Sequence, residues 1–206
     1  MAAIRKEIRA FLQTKGDNGR SIGGSKFGIY AFYDYDGEPI YVGKTYEGVS
    51  SRIGRHLTNQ RTDAVAMNVL DPFEVAEIRV WPLDFSQMKD PEAKRYLSQA
   101  EYTVFQKVLS ESKLGAVLNE KPPPVSDLFK LPKDYRGRII PDDIFPLRKH
   151  PDIRIARRAN TIASLARVIS ERKVSTGLRK TLLTQARRLE KLAAERLKDF
   201  DRKGKA

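Results

Sequence analysis

The sequence predicts an α/β (α+β) fold: a small mixed three-stranded sheet flanked by helices, then a proline-rich strap and a C-terminal helical hairpin. Three observations carry this. Two apolar, β-rich runs, about 27–34 and 38–43, are joined by Asp36-Gly37; a third aromatic run follows at Phe73–Trp81; and the chain from residue 153 onward turns helical and basic. Asp-Gly between such runs is a strong hairpin signal, because a tight primed turn needs positive φ.

Each element has a local reason. Ala2 to Gln13 places Ile4, Ile8, Phe11 and Leu12 on one side, the spacing of an amphipathic helix. Gly16 to Ser25 is rich in Gly and Ser and reads as a loop. After the hairpin, Val49 to Gln60 reads as a helix carrying Arg52 and His56 one turn apart. Phe73–Trp81 is bracketed by Pro72 and Pro82, which suit strand boundaries. Pro91 opens a helix to about Ser110, since proline is well placed in a first helical turn. The order β-β-α-β-α implies a small sheet with helices packed on it.

From Lys121 to Pro151 the composition shifts, with seven of the eleven prolines of the chain. Such a stretch excludes regular helix and central strand. Phe129, Leu131, Tyr135, Ile139, Ile140, Ile144, Phe145 and Leu147 make it too apolar for a free linker, so it reads as an extended strap across the core. Two helices follow, about 153–171 and 177–200, with Leu178, Leu182, Ala186, Leu189, Ala193 and Leu197 as the apolar stripe of the second. The expected divisions are 1–26 (helix and loop), 27–120 (sheet-and-helix core), 121–152 (strap) and 153–206 (basic hairpin).

Composition narrows the function. The 206 residues are 40% apolar and 32% charged, with a net charge of +13. Residues 151–206 hold 16 Lys/Arg against 6 Asp/Glu, whereas the preceding 150 hold 23 against 20. A basic block of this kind suits a polyanion, nucleic acid before anionic membrane. The absence of cysteine excludes disulfides and a thiolate zinc site. Arg5, Lys6, Glu7 and Arg9 interrupt any signal-like apolar run, and no stretch reaches the length of a membrane span. A soluble, cytoplasmic protein without a membrane partner is expected.

Gly28-Ile29-Tyr30 and Tyr41-Val42-Gly43, followed by Arg52, His56 and later Glu101, together resemble the GIY-YIG nuclease family, with Val for Ile in the second tripeptide. The resemblance covers roughly residues 27–119. It implies a catalytic Arg52 and His56, a single divalent metal ion (Mg²⁺, with Mn²⁺ substituting) held by Glu101, and Asn119 as the matching asparagine. Independently, Glu101 falls within the apolar face formed by Leu97, Ala100, Val104, Phe105 and Val108, where a carboxylate needs a cation or strong hydrogen bonds.

Phosphodiester hydrolysis needs an aligned water, a base, charge neutralisation at phosphorus and help for the leaving oxygen. A phenol is a poor base at its reference pKa of about 10, but Arg52 and Lys44 nearby would favour phenolate. Tyr30 or Tyr41 then activates or orients water while the other binds phosphate, the sequence leaving open which. Arg52 suits the non-bridging oxygens. His56 suits either proton acceptance from water or donation to phosphate. Gly28, Gly43, Lys44 and Asn119 support the site, and Gly43 suits close approach of backbone or substrate. His150 falls outside the motif. Arg154, Arg157, Arg158, Arg179, Lys180, Arg187, Arg188 and Lys191 are the expected phosphate contacts, some of them paired instead with Glu190, Glu195 and Asp199.

The expected function is thus metal-dependent endonucleolytic cleavage of DNA, double-stranded DNA favoured, of restriction or defence type. The alternatives are a repair- or homing-type nicking enzyme and a non-catalytic nucleic-acid-binding module. Cutting both strands would need a homodimer or sequential nicking.

Overall fold

The computed structural model describes residues 2–58 and 70–203. The elements, in chain order, are α1 (Ala2–Gln13), β1 (Phe27–Tyr33), β2 (Pro39–Thr45), α2 (Val49–Thr58), β3 (Glu77–Leu83), α3 (Asp90–Glu111), β4 (Tyr135–Arg138), α4 (Phe145–Lys149), α5 (Pro151–Glu171) and α6 (Thr176–Lys203). Short 3-10 turns sit at Ile22–Gly24 and Pro72–Glu74. Residues 59–60 of the expected Arg52/His56 helix lie outside the described residues.

The sheet runs β2-β1-β3-β4 with every pair antiparallel. β1 is a central strand with all seven residues buried, which is why it reads as a continuous apolar run rather than an alternating one. Tyr30 and Phe32 point to one face, beside α1, α2 and the C-terminal hairpin. Ile29, Ala31 and Tyr33 point to the other, where Trp81 and the α3 residues Leu97, Ala100, Val104 and Val108 close the second core. Burial pushes the Tyr33 phenol up to about 12, with Arg79 and Glu111 at its hydroxyl, as befits a packing residue.

Several details differ from the sequence expectations. The β1–β2 connection is not a two-residue primed turn: the Asp34 N–H donates to Glu38 O, and the Gly37 N–H donates to Asp34 O. Gly37 alone there has positive φ (72°), so Asp36 stays right-handed and the turn is the three-residue kind ending in a left-handed glycine. The Asp34 carboxylate holds this turn by accepting from the Asp36 and Glu38 N–H groups at 2.9 and 3.0 Å. The third strand starts later than Phe73, because Asp71 caps a 3-10 turn at Pro72–Glu74. Pro82 lies inside β3, where β4 no longer pairs and that side of the strand is an edge.

The strap supplies a fourth strand, β4, and the short helix α4, so it is less irregular than its prolines imply. Pro146 sits in the first turn of α4, where its missing N–H is harmless. Phe129 and Leu131 pack on the α3 face, and the Phe129 N–H donates to Thr103 Oγ1 at 2.8 Å. Arg79 on β3 then grips Asp134 bidentately at 2.6 and 3.0 Å. Hydrogen bonding from Arg79 holds the Asp134 carboxyl below its ordinary value, despite partial burial. A depressed carboxyl contributes stability above its unfolded pKa, and that stability is lost as pH falls through the folded one. Asp134→Asn is therefore expected to cost about 1–2 kcal/mol at neutral pH. Urea midpoints should show this gap closing below about pH 4; an equal gap at both ends of the pH range would rule the account out.

The C-terminal hairpin meets the body through a polar face. On α6 the buried residues are Leu178, Thr181, Gln185, Arg188 and Leu192, whereas Ala186, Ala193 and Leu197 of the expected stripe are exposed. The helix is rotated because Arg188 is drawn inward to Asp34. Arg154 and Arg158 on α5 are likewise 1% and 5% exposed. Asp34 Oδ2 accepts from all three guanidinia, at 3.1 Å (Arg154), 3.0 Å (Arg158) and 2.7 Å (Arg188). Glu74 and Asp36 add carboxylates to Arg158 and Arg154, which balances three cations with three anions. Arg188 also donates to Pro39 O, at the start of β2. Burial disfavours its charge and leaves its pKa below the ordinary guanidinium value, the cost of placing a cation so deep.

Candidate active site

Tyr30 and Gly43 are register partners on β1 and β2, so the two tripeptides lie side by side. A Cβ at residue 43 would sit 2.5 Å from the Tyr30 Cζ and hydroxyl oxygen and 2.9 Å from Tyr41 Cε1. The glycine is needed because the Tyr30 ring lies across it; what approaches closely is this side chain. Gly28 lies two residues before Tyr30, opposite Pro82.

Around Gly43 four rings gather. The Tyr30 and Tyr41 centroids are 6.3 Å apart. His56 meets the Tyr30 ring edge-on at 5.7 Å and Tyr41 at 5.4 Å. Phe32 packs against all three, at 5.3, 5.9 and 6.1 Å from Tyr30, Tyr41 and His56. Tyr30 and His56 are buried, whereas Tyr41 is half-buried and forms the more accessible side of the cluster.

Arg52 completes this face from one turn earlier on α2. Burial works against its charge, but the facing Tyr30 hydroxyl, with Tyr41 and Glu47 nearby, more than offsets this and holds its pKa above the ordinary value. Its buried Nε has no hydrogen-bond partner among the described residues. Glu47 itself is paired with Arg55.

Glu101 approaches from the other face. Alternation along β2 turns Tyr41 and Gly43 toward α2 and Val42 and Lys44 toward α3. Lys44 Nζ lies 2.9 Å from Glu101 Oε2 and 3.0 Å from Ser98 Oγ. Lys44, expected beside the phenols, is thus tied to the carboxylate. The two groups thus lie on opposite faces of β2, the outermost strand of the sheet. Asn119 brackets that edge: its Oδ1 accepts from the Val42 N–H at 3.0 Å and its Nδ2 donates to Val42 O at 2.7 Å. Leu118 N–H donates to Ile40 O beside it, so Asn119 acts on the backbone between Tyr41 and Gly43.

The donor set around Glu101 can be compared with the cation the resemblance implies. Its side chain is 17% exposed and already accommodates one cation, the Lys44 ammonium. Among the described residues no group of three or more His, Cys, Asp or Glu could hold a metal. One hard oxygen ligand open to solvent fits Mg²⁺, which keeps several waters and takes one or two carboxylates. It does not fit a multi-ligand transition-metal centre.

The expected phosphate contacts of the C-terminal hairpin divide in two. Arg154, Arg158 and Arg188 are a correction: they lie in the buried Asp34 network and present no guanidinium to solvent. Arg157 is half-buried, bidentate to Asp71 at 2.9 and 2.8 Å, with its guanidinium over the Phe73 ring at 4.3 Å. Arg179, Lys180 and Arg187 are exposed, and Lys191 is half-buried. Carboxylate partners on the hairpin include Asp152 for Arg196, with Asp199 also acting on it, and Glu171 for Arg167. His150, at the junction of α4 and α5, is half-exposed with Nδ1 3.9 Å from Asp152.

Two phenols, a guanidinium and an imidazole are thus brought together on one face of β2, with a carboxylate held by Lys44 on the other. Residues 26–113 match the sequence model of the GIY-YIG catalytic domain, a little under half of the chain. At family level this implies a nuclease-type activity on nucleic acid. Glu101 lies within the matched residues and Asn119 beyond them. No curated protein and no solved structure matches the chain. Among the described residues no helix is long and apolar enough to cross a membrane.

Proposed function

We propose that the protein is a metal-dependent DNA endonuclease of restriction or defence type, acting in the cytoplasm on double-stranded DNA. What carries the reading is the Tyr30–Tyr41–His56–Arg52 group gathered across Gly43, with Glu101 at the same strand edge. The scissile phosphate would lie along β2. Arg52 takes its non-bridging oxygens through a planar fork. Tyr41, the more accessible phenol, orients or deprotonates water, and Tyr30 stays with Arg52 on the phosphate. His56, packed edge-on against Tyr30, accepts the proton or donates to phosphate. A Mg²⁺ bound by Glu101 would supply charge neutralisation at the leaving oxygen. Lys44 orients the carboxylate.

Supercoiled plasmid with Mg²⁺ or Mn²⁺ tests this. Nicked and linear products that vanish in EDTA are expected; DNA retention with no metal-dependent cleavage would instead assign a non-catalytic binding module.

Phosphate contacts outside the site should come from exposed cations. Arg179→Ala and Lys180→Ala are expected to leave the fold unchanged and to flatten the dependence of log Kd on log salt by about 0.9 each. Slopes equal to that of the parent protein would move the DNA off this end of α6.

A further inference from the structure

Opposite its buried face, α6 carries a second stripe that the fold does not cover. Leu183, Ala186, Glu190, Ala193, Leu197 and Phe200 recur at alternating steps of three and four, and all six are exposed. Leu183, Leu197 and Phe200 are 52, 63 and 55% exposed, among the most exposed large apolar side chains of the described residues. Such spacing makes the seam of a two-helix coiled coil, in which the a and d positions meet a partner helix. Arg196 lies over one face of the Phe200 ring at 4.3 Å and is itself held by Asp152, so the ring is braced at the end of the stripe.

We infer that this face pairs with the same face of a second copy, with the two α6 helices antiparallel. The sequence of the seam selects both partner and direction. In the antiparallel register Leu183 of one copy meets Phe200 of the other, Ala186 meets Leu197, and Glu190 meets Ala193. Every large apolar residue then faces another apolar one, and at the centre each Glu190 faces a small Ala193. The same register brings the exposed Arg187 of each copy to the exposed Asp201 of the other, giving two opposite-charge pairs by symmetry. A parallel arrangement would instead stack Glu190 directly on Glu190, and like charges facing each other in a seam are unfavourable. The stripe from 183 to 200 spans about 26 Å. Contact of that length falls at the low end of specific interfaces, so a dimer of roughly micromolar affinity is expected. The pairing stands apart from the nuclease reading, because association alone reads it out. If that reading also holds, the dimer joins two cleavage sites, one for each strand.

Sedimentation velocity on the full chain over the micromolar range, without DNA, tests the proposal. A reversible monomer–dimer equilibrium is expected. Leu197→Glu should weaken it more than tenfold, with unchanged circular dichroism because the position is exposed. Arg187→Asp and Asp201→Arg should each weaken it and together restore it. The chain has no cysteine, so direction can be read by oxidative crosslinking: Leu183→Cys mixed with Phe200→Cys should crosslink, and neither alone should. A monomer at all concentrations, a dimer indifferent to Leu197→Glu, or Leu183→Cys crosslinking to itself would each overturn the inference.

Discussion

Asp34→Ala is expected to lower stability by about 3–5 kcal/mol, the range for leaving a buried charge without its partner. One carboxylate oxygen receives three guanidinia, and the other holds the β1–β2 turn through two backbone N–H groups. Removing it leaves Arg188, 3% exposed, with the Pro39 carbonyl as its remaining acceptor among the bonds described above. Arg154 and Arg158 keep Asp36 and Glu74 and are expected to suffer less. The size of the effect comes from the orphaned cations rather than from any net gain of the network, since a buried ion cluster is often no more stable than an apolar one. Asp34→Asn retains an acceptor for the turn and loses only the charge, so it should fall between Ala and the parent. Urea unfolding followed by the single tryptophan, the buried Trp81, measures both. A loss under about 1 kcal/mol for Asp34→Ala would mean that the arginines re-pair with Glu74 and Asp36, and that the hairpin does not depend on Asp34.

That network also marks where the sequence could and could not be read. The helices and the β-hairpin were legible because each follows from local pattern, period 3.6 and paired apolar runs; close approach at Gly43 was legible too, but the Tyr30 ring makes it rather than backbone or substrate. The arginines were misread because cations on a basic hairpin look like solvated phosphate contacts. A signal was nevertheless present. Arg154 and Arg158 fall in step with Leu165 and Val168 on the buried stripe of α5, and Arg188 falls in step with Leu178 and Leu192 on α6. Arginines in register with an apolar stripe point inward, and the composition of a segment cannot reveal this. β4 was missed for another reason. Four residues of edge strand, YRGR, carry no apolar alternation, and their pairing is fixed by Glu77–Val80 far away in sequence. Lys44 was placed near the phenols by sequence proximity, whereas strand alternation turns it to the other face and onto Glu101.

Glu101→Gln is expected to reduce cleavage by about 10²–10³-fold, the scale on which preorganised charge stabilisation is lost, while leaving DNA affinity within a few-fold. Glutamine keeps the length of the side chain and an acceptor for Lys44 Nζ, so the α3–β2 contact through Ser98 and Lys44 should persist. The charge is what disappears, and with it the one oxygen ligand expected to hold Mg²⁺. Losing a negative charge at this edge should, if anything, favour the DNA polyanion, so weakened binding would not explain a lost rate. Arg52→Ala provides the contrast. It removes a phosphate donor on the opposite face and should raise the apparent Kd as well as lower the rate, without changing the Mg²⁺ concentration that gives half-maximal cleavage. Titrating Mg²⁺ against rate in the parent, Glu101→Gln and Arg52→Ala proteins separates the roles. Undiminished cleavage in Glu101→Gln would place the metal elsewhere. An unaltered Mg²⁺ midpoint in that variant would reduce Glu101 to a partner for Lys44, and the strand edge would then work through the phenols and the guanidinium alone.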